Sequence, residues 1–215
     1  MFYRIVRAIF NFVKPLFRMK TKNKKALMMN DGFIICSNHI HASDVFPIAM
    51  ISTRQVHFMA KDELFRNKIL AKIITMLGSF KINREGNDIT AIKTALNILK
   101  RKKVLCIFPE GTITGSENIY AFKPGVVMIA LKTQTAILPV YIKPATSVWH
   151  RRRMIIGEEL DLQEYYGKNI SLKELNNISK ILRDEVLNLK DKLEQIENVK
   201  NLRHAEDKHG QRYIL

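Results

Sequence analysis

The chain has 215 residues, 47% of them hydrophobic and 26% charged, with a formal net charge of +16. That length fits one domain with a sizeable core, and the composition excludes a disordered or fibrous protein. The two cysteines lie inside apolar runs, FIICSN and VLCIFPE, with no C-x-x-C spacing, so they are predicted to be buried, reduced thiols and neither a disulfide nor a zinc pair.

The first 30 residues carry eight Lys or Arg and no acid. Arg4, Arg7, Asn11, Lys14 and Arg18 alternate three- and four-residue steps. At ~100° per residue they fall within an arc of roughly 80°, and the rest of the circumference is apolar. A narrow cationic stripe ringed by Phe, Ile, Val and Leu predicts a helix lying in a membrane interface. An amphipathic helix packed on its own domain is the alternative. A nucleic-acid arm is seldom so rich in large aliphatic residues, so no nucleic-acid partner is expected. The segment is too short and too charged for a spanning helix of ~20 apolar residues. It also lacks the small-residue cleavage site of a signal peptide. Pro15 is expected to bend or split the helix.

From residue 33 onward, strand-like and helix-like stretches alternate. FIICSN (33–38) reads as a buried strand and DVFPIAMI (44–51) as a helix with Pro47 in its first turn. VHFMA (56–60) is a second strand. In KDELFRNKILAKIITML (61–77) the apolar residues recur at 64, 65, 69, 70, 73, 74 and 77, a helical period. SFKIN (79–83) reads as a short strand, and Asn87-Asp88 as the cap of a helix over 88–101. VLCIFP (104–109) is wholly apolar, hence an interior strand. A polar loop follows, then a helix from Pro124 to about Lys132. AILPVYI (136–142) is another core strand and RRMIIGEEL (152–160) an edge strand. Ser171 and Glu174 form a capping box for a long amphipathic helix, and the tail beyond ~200 reads as polar and loose. Alternation of this kind predicts an α/β fold, a three-layer domain with a mixed, largely parallel sheet flanked by helices. The predicted organisation is a basic membrane-association segment at 1–25, one domain at 26–200 and a tail at 201–215.

In open sheets of this type ligands favour the carboxyl ends of strands. Two polar motifs fall there, NHIHASD (38–44) after the first strand and FPEGTITG (108–115) after the fourth. His39 and His41 have H-x-H spacing, but no second histidine cluster completes a metal shell. A histidine oriented by a carboxylate is a general base, and His39 with Asp44 has those parts. Five residues separate them, about 140° apart on a regular helix, so they meet only if the chain turns between them. Asp44 as a plain helix cap is the bland alternative. Small residues in PEGT expose backbone N–H groups suited to an anion or oxyanion, although such a sequence also makes an ordinary turn. Lys61, Lys81, Arg84 and Lys123 are candidate phosphate contacts, or solvated surface charges. There is no G-x-S-x-G nucleophile motif, so a base here would act on a substrate hydroxyl.

Taken together, the motifs resemble those of the glycerolipid acyltransferases. NHIHASD matches the N-H-x-x-x-x-D signature and FPEGT (108–112) the second hallmark. KINR (81–84), FKPG (122–125) and ILPV (137–140) are similar to further blocks in the same order. The similarity covers roughly residues 26–160 and is nearest to bacterial members that acylate 1-acyl-sn-glycerol 3-phosphate. The resemblance implies that His39 is the general base and Asp44 its orienting partner. It implies that Arg84 binds the acceptor phosphate, that Glu110, Gly111 and Thr112 shape the acceptor site, and that Lys61 is a further phosphate contact. It calls for no metal and no cofactor, since acyl-CoA or acyl-carrier protein (acyl-ACP) serves as co-substrate. The expected partners are a lysophospholipid acceptor, the acyl carrier and an anionic membrane surface, at the cytoplasmic face of the cell membrane. Family members often continue FPEGT with Arg-Ser, whereas this chain has Ile113 and Thr114. An acceptor with another head group, such as glycerol 3-phosphate or a different lysolipid, therefore stays open. So does a non-catalytic membrane-binding module.

Overall fold

A computed structural model describes residues 8, 12, 20–83, 88–144 and 152–210, with side chains through residue 200. Seven strands form one sheet: β1 (Lys20–Lys22), β2 (Phe33–Ser37), β3 (Val56–Lys61), β4 (Phe80–Ile82), β5 (Val104–Ile107), β6 (Ala136–Ile142) and β7 (Arg153–Ile156). Their order is β1-β7-β6-β2-β5-β3-β4. Every neighbouring pair is parallel except β6 with β7. From residue 20 onward the described α-helices are α1 (Val45–Ile51), α2 (Lys68–Met76), α3 (Ile89–Lys100) and α4 (Gly125–Thr133) between strands, and α5 (Leu172–Gly210) after the last strand. The predicted mixed, largely parallel sheet flanked by helices is the observed architecture.

All residues of β2, β5 and β6 are buried, because helices cover both faces of the sheet. Side chains alternate cleanly between two core layers. Ile34, Cys36, Leu105, Ile107, Ile137 and Tyr141 face α3, α4 and α5. Phe33, Ile35, Val104, Cys106, Leu138 and Val140 face α1 and the turn carrying Leu27. Cys36 and Cys106 thus lie on opposite faces as free, buried thiols. Burial raises both of their pKa values, and a protonated thiol is a poor nucleophile. On α5, Ile178, Leu182, Val186, Leu189 and Leu193 make the inward stripe, each contributing about 1.5–3 kcal/mol by burial.

Several boundaries differ from the sequence reading. The helix expected over 61–77 is split into a 3-10 turn (Asp62–Phe65) and α2. Asn67 caps the second piece by accepting from the amides of Ile69 and Leu70. The edge position expected for β7 belongs to β1, which pairs outside it. Lys20–Lys22 is polar and three residues long, so it gives no hydrophobic signal. Asp88 caps α3 through the Ala91 amide at 2.9 Å. The Ser171–Glu174 box opens α5, with the Ser171 amide donating to Glu174 at 2.8 Å. The backbone of α5 then continues to Gly210, through the stretch read as a loose tail. Among the described residues, no helix is long and apolar enough to cross a membrane. The N-terminal amphipathic helix expected over 1–25 falls mostly outside them.

Candidate active site

Cys36 of β2 lies opposite Ile107 of β5, so the segments leaving these strands, 38–44 and 108–115, emerge side by side. Asn38 fixes the exit of β2. Its amide donates to the Ile142 carbonyl at 3.0 Å and accepts from the Ile142 N–H at 2.8 Å. It thereby extends the ladder to β6 as a peptide group would, which needs both a donor and an acceptor. Beyond it the chain turns through a 3-10 segment, Ala42–Asp44, into α1.

That turn closes the five-residue gap. His39 Nδ1 lies 3.4 Å from Asp44 Oδ2, and the imidazole stacks on Phe108 with ring centroids 4.0 Å apart. Asp44 Oδ2 also accepts the N–H groups of Ile40 and His41, both at 2.8 Å. His41 contributes that amide and keeps its side chain exposed, so the H-x-H pair is divided. Among the described residues no group of three His, Cys, Asp or Glu gathers to hold a metal.

The other oxygen of Asp44 meets a residue the sequence reading missed. Arg152 Nη1 donates to Asp44 Oδ1 at 3.1 Å, and Arg152 Nη2 donates to Ser43 Oγ at 2.7 Å. Arg152 is 4% exposed and Asp44 2%, so this is a buried ion pair. Burial alone would raise the Asp44 pKa. The bonds from His39 and from the His41 and Ile40 amides outweigh it, and the carboxyl lies below its ordinary value.

The FPEGT loop clamps the backbone of His39. Glu110 Oε1 accepts the His39 N–H at 2.9 Å and Glu110 Oε2 the Tyr120 N–H at 3.0 Å. Burial pushes the Glu110 carboxyl above its ordinary value, although both amides oppose the shift. From the other side, Thr114 N–H donates to the His39 carbonyl at 2.9 Å and Gly115 N–H to the Ile40 carbonyl at 3.2 Å. Glu110 therefore positions His39 through its main chain. Thr114 was given no role by the sequence reading, and Thr112, expected to shape the acceptor site, is exposed.

Beside this loop opens a cavity of about 440 Å³. Its wall is mainly apolar, with Met59, Ile107, Phe108, Val126, Ile129 and Leu175. Its polar lining residues are Asn83, Asp88 and Lys123, with the backbone of Gly111. Gly111 has φ +73°, and a Cβ there would stand 2.9 Å from Lys123 Nζ, so the ammonium rests against the glycine. Lys61 is exposed at the end of β3 and is not among the cavity-lining residues. Lys81 pairs with Asp62 at 3.3 Å on the surface. Arg84 lies outside the described residues, between Asn83 and Asp88, which both line the cavity.

An α/β sheet with a His–Asp pair at its carboxyl edge and an apolar cavity alongside suits acyl transfer to a hydroxyl. The family model for the acyltransferases matches residues 18–143, and the chain belongs to that family. It is 31% identical over 184 residues to a 1-acyl-sn-glycerol-3-phosphate acyltransferase of Bacillus subtilis (strain 168), covering 83% of this chain and 91% of that one. A relative of the same name from Streptococcus pneumoniae is 32% identical over 153 residues, covering 70% of this chain and 54% of its own length. The crystal structure of the 1-acyl-sn-glycerophosphate (LPA) acyltransferase PlsC from Thermotoga maritima shares the fold. Its TM-score is 0.67 at 23% identity, over 87% of this chain and 79% of that one.

Proposed function

We propose that the protein is a membrane-surface O-acyltransferase. It moves a fatty acyl group from acyl-CoA or acyl-ACP to the free hydroxyl of 1-acyl-sn-glycerol 3-phosphate, giving phosphatidic acid. The observation that carries this reading is the His39 ring, held by Asp44 through Nδ1 and stacked on Phe108, which itself lines the apolar cavity. The names of the relatives supply the acceptor.

In this mechanism His39 Nε2 takes the hydroxyl proton as that oxygen attacks the thioester carbonyl. Asp44 stabilises the imidazolium that forms. The tetrahedral intermediate then collapses, the C–S bond breaks, and the imidazolium returns its proton to the departing thiolate. No metal or cofactor takes part. The cavity holds an acyl chain, burying each methylene for about 0.8 kcal/mol. The phosphate lies against Lys123, and Arg84 is the further cation that the family motif KINR supplies for it. Lys61, exposed at the end of β3, is the outer phosphate contact. The reaction takes place at the cytoplasmic face of the membrane, where acceptor and product reside.

The test is thiol release by the purified full chain, with acyl-CoA or acyl-ACP, across a panel of acceptors. Release dependent on 1-acyl-sn-glycerol 3-phosphate is expected. Release only with another acceptor moves the assignment to that head group, a reading favoured by Ile113, 42% exposed where the resemblance to the family leads to an expected arginine. No release with any acceptor leaves a membrane-binding module.

Gly111→Ala probes the polar part of the cavity. The φ of +73° costs a side chain about 1–2 kcal/mol, and the new methyl displaces the Lys123 ammonium. Initial-rate kinetics should show a raised KM for the phosphate-bearing acceptor and an unchanged KM for the donor.

A further inference from the structure

Of the helices α1 to α5, α2 is the one with no buried residue, side chains being described through residue 200. Ile69 is 74% exposed, Ile73 44% and Leu70 38%, and Leu64 in the preceding turn is 45% exposed. At ~100° per residue Ile69, Ile73 and Leu70 fall within an arc of about 100°. Lys68 and Lys72 flank that arc, about 40° from each other. The helix carries no acid. Arg66 lies just before it; of the two acids in the preceding turn, Asp62 is paired with Lys81 and Glu63 is exposed beside Leu64. Aliphatic residues standing on a convex helix with a cationic flank are expensive to leave in water.

The position of this face is informative. β3 runs parallel to β5, so the chain leaving β3 at Lys61 starts from the same edge of the sheet as the His39 turn and the FPEGT loop. The face therefore begins beside the site and not across the molecule from it.

We propose that α2 and the turn before it form a membrane-contact surface, in which Leu64, Ile69, Leu70 and Ile73 enter the headgroup layer of an anionic bilayer while Arg66, Lys68 and Lys72 meet lipid phosphates. This rests on the acyltransferase reading for its purpose, delivery of a lipid acceptor to the site, but not for its physics. A bilayer accepts protruding aliphatic side chains without a complementary pocket, and each Lys or Arg near an anionic surface adds attraction. The N-terminal segment is a poor occupant. Residues 1–19 contain Arg4, Arg7, Lys14 and Arg18 and no acid, so they repel the flank of α2, and Phe12 is itself 83% exposed. Two cationic amphipathic segments then contact the membrane together, and their weak affinities multiply.

The experiment is co-flotation of the full chain with vesicles of phosphatidylcholine alone or mixed with phosphatidylglycerol. Ile69→Asn/Ile73→Asn should lower partitioning onto the mixed vesicles about tenfold or more. Lys68→Gln/Lys72→Gln should lower it about tenfold at low salt and little at high salt. Both variants should keep the wild-type Tm and wild-type thiol release on detergent-dispersed acceptor. Unchanged partitioning overturns the proposal. So does a lowered Tm for the Asn pair, which would show that the face is covered by the chain itself. Weakened binding to an acidic acyl-carrier protein with vesicle binding intact overturns it in favour of that partner. If thiol release fails in the wild type while the vesicle losses stand, the acyltransferase reading fails and this surface survives.

Discussion

His39→Ala is expected to lower thiol release by roughly 10²–10⁴-fold, the range for loss of a positioned general base. Neither the neighbouring carboxyls nor the buried thiols can take its place. Asp44 has both oxygens occupied, Glu110 is spent on two amides, and the buried thiols are held protonated. The KM for each substrate should change little, because the proton moves only on the way to the transition state. His39 also stacks on Phe108, so a Tm measurement must accompany the kinetics. His39→Gln keeps a planar group there and should lose comparable activity with a smaller loss of stability. Wild-type turnover in either variant would remove the general-base mechanism.

How much of this could be read in the sequence depended on the range of each interaction. The strands FIICS and VLCI and the helix over 89–100 announce themselves by local apolar period and caps. The pairing of His39 with Asp44 was legible too, since a turn inside seven residues is enough to make it. Contacts across the fold were not. Arg152 reaches Asp44 over a separation of 108 residues, and nothing in RRRM distinguishes it from its charged neighbours. The two uses of Glu110 were hidden for the same reason. PEGT suggests a lip around the acceptor, whereas the side chain turns back to grip the main chain of His39. β1 escaped because a three-residue polar edge strand needs only its backbone to join a sheet. The split before α2 was marked by Asn67, a good N-cap residue that a search for apolar period passes over.

Arg152→Met should be the most destabilising of the substitutions considered. It leaves the Asp44 carboxylate buried without its cation, at a cost of about 3–5 kcal/mol, and a thermal or urea unfolding curve will show it. Turnover should fall as well, because Asp44 then has a free oxygen and a less fixed orientation toward His39. Asp44→Asn has a different signature. The wild-type carboxyl has a folded-state pKa below its ordinary 3.8. Its charge therefore stabilises the fold above about that pH, and the contribution is lost as pH falls through the lower folded value. The Asn variant should lack this acid-side loss, and at neutral pH it should be less stable because Arg152 is left unpaired. Combining Arg152→Met with Asp44→Asn removes both charges and should recover most of the stability lost by Arg152→Met alone. Activity should stay low, since the neutral amide does not stabilise an imidazolium at His39. Recovery of stability without recovery of turnover would separate the structural work of the ion pair from its work on the base. Parallel recovery of both would mean that Arg152 and Asp44 hold the fold and leave His39 to act alone.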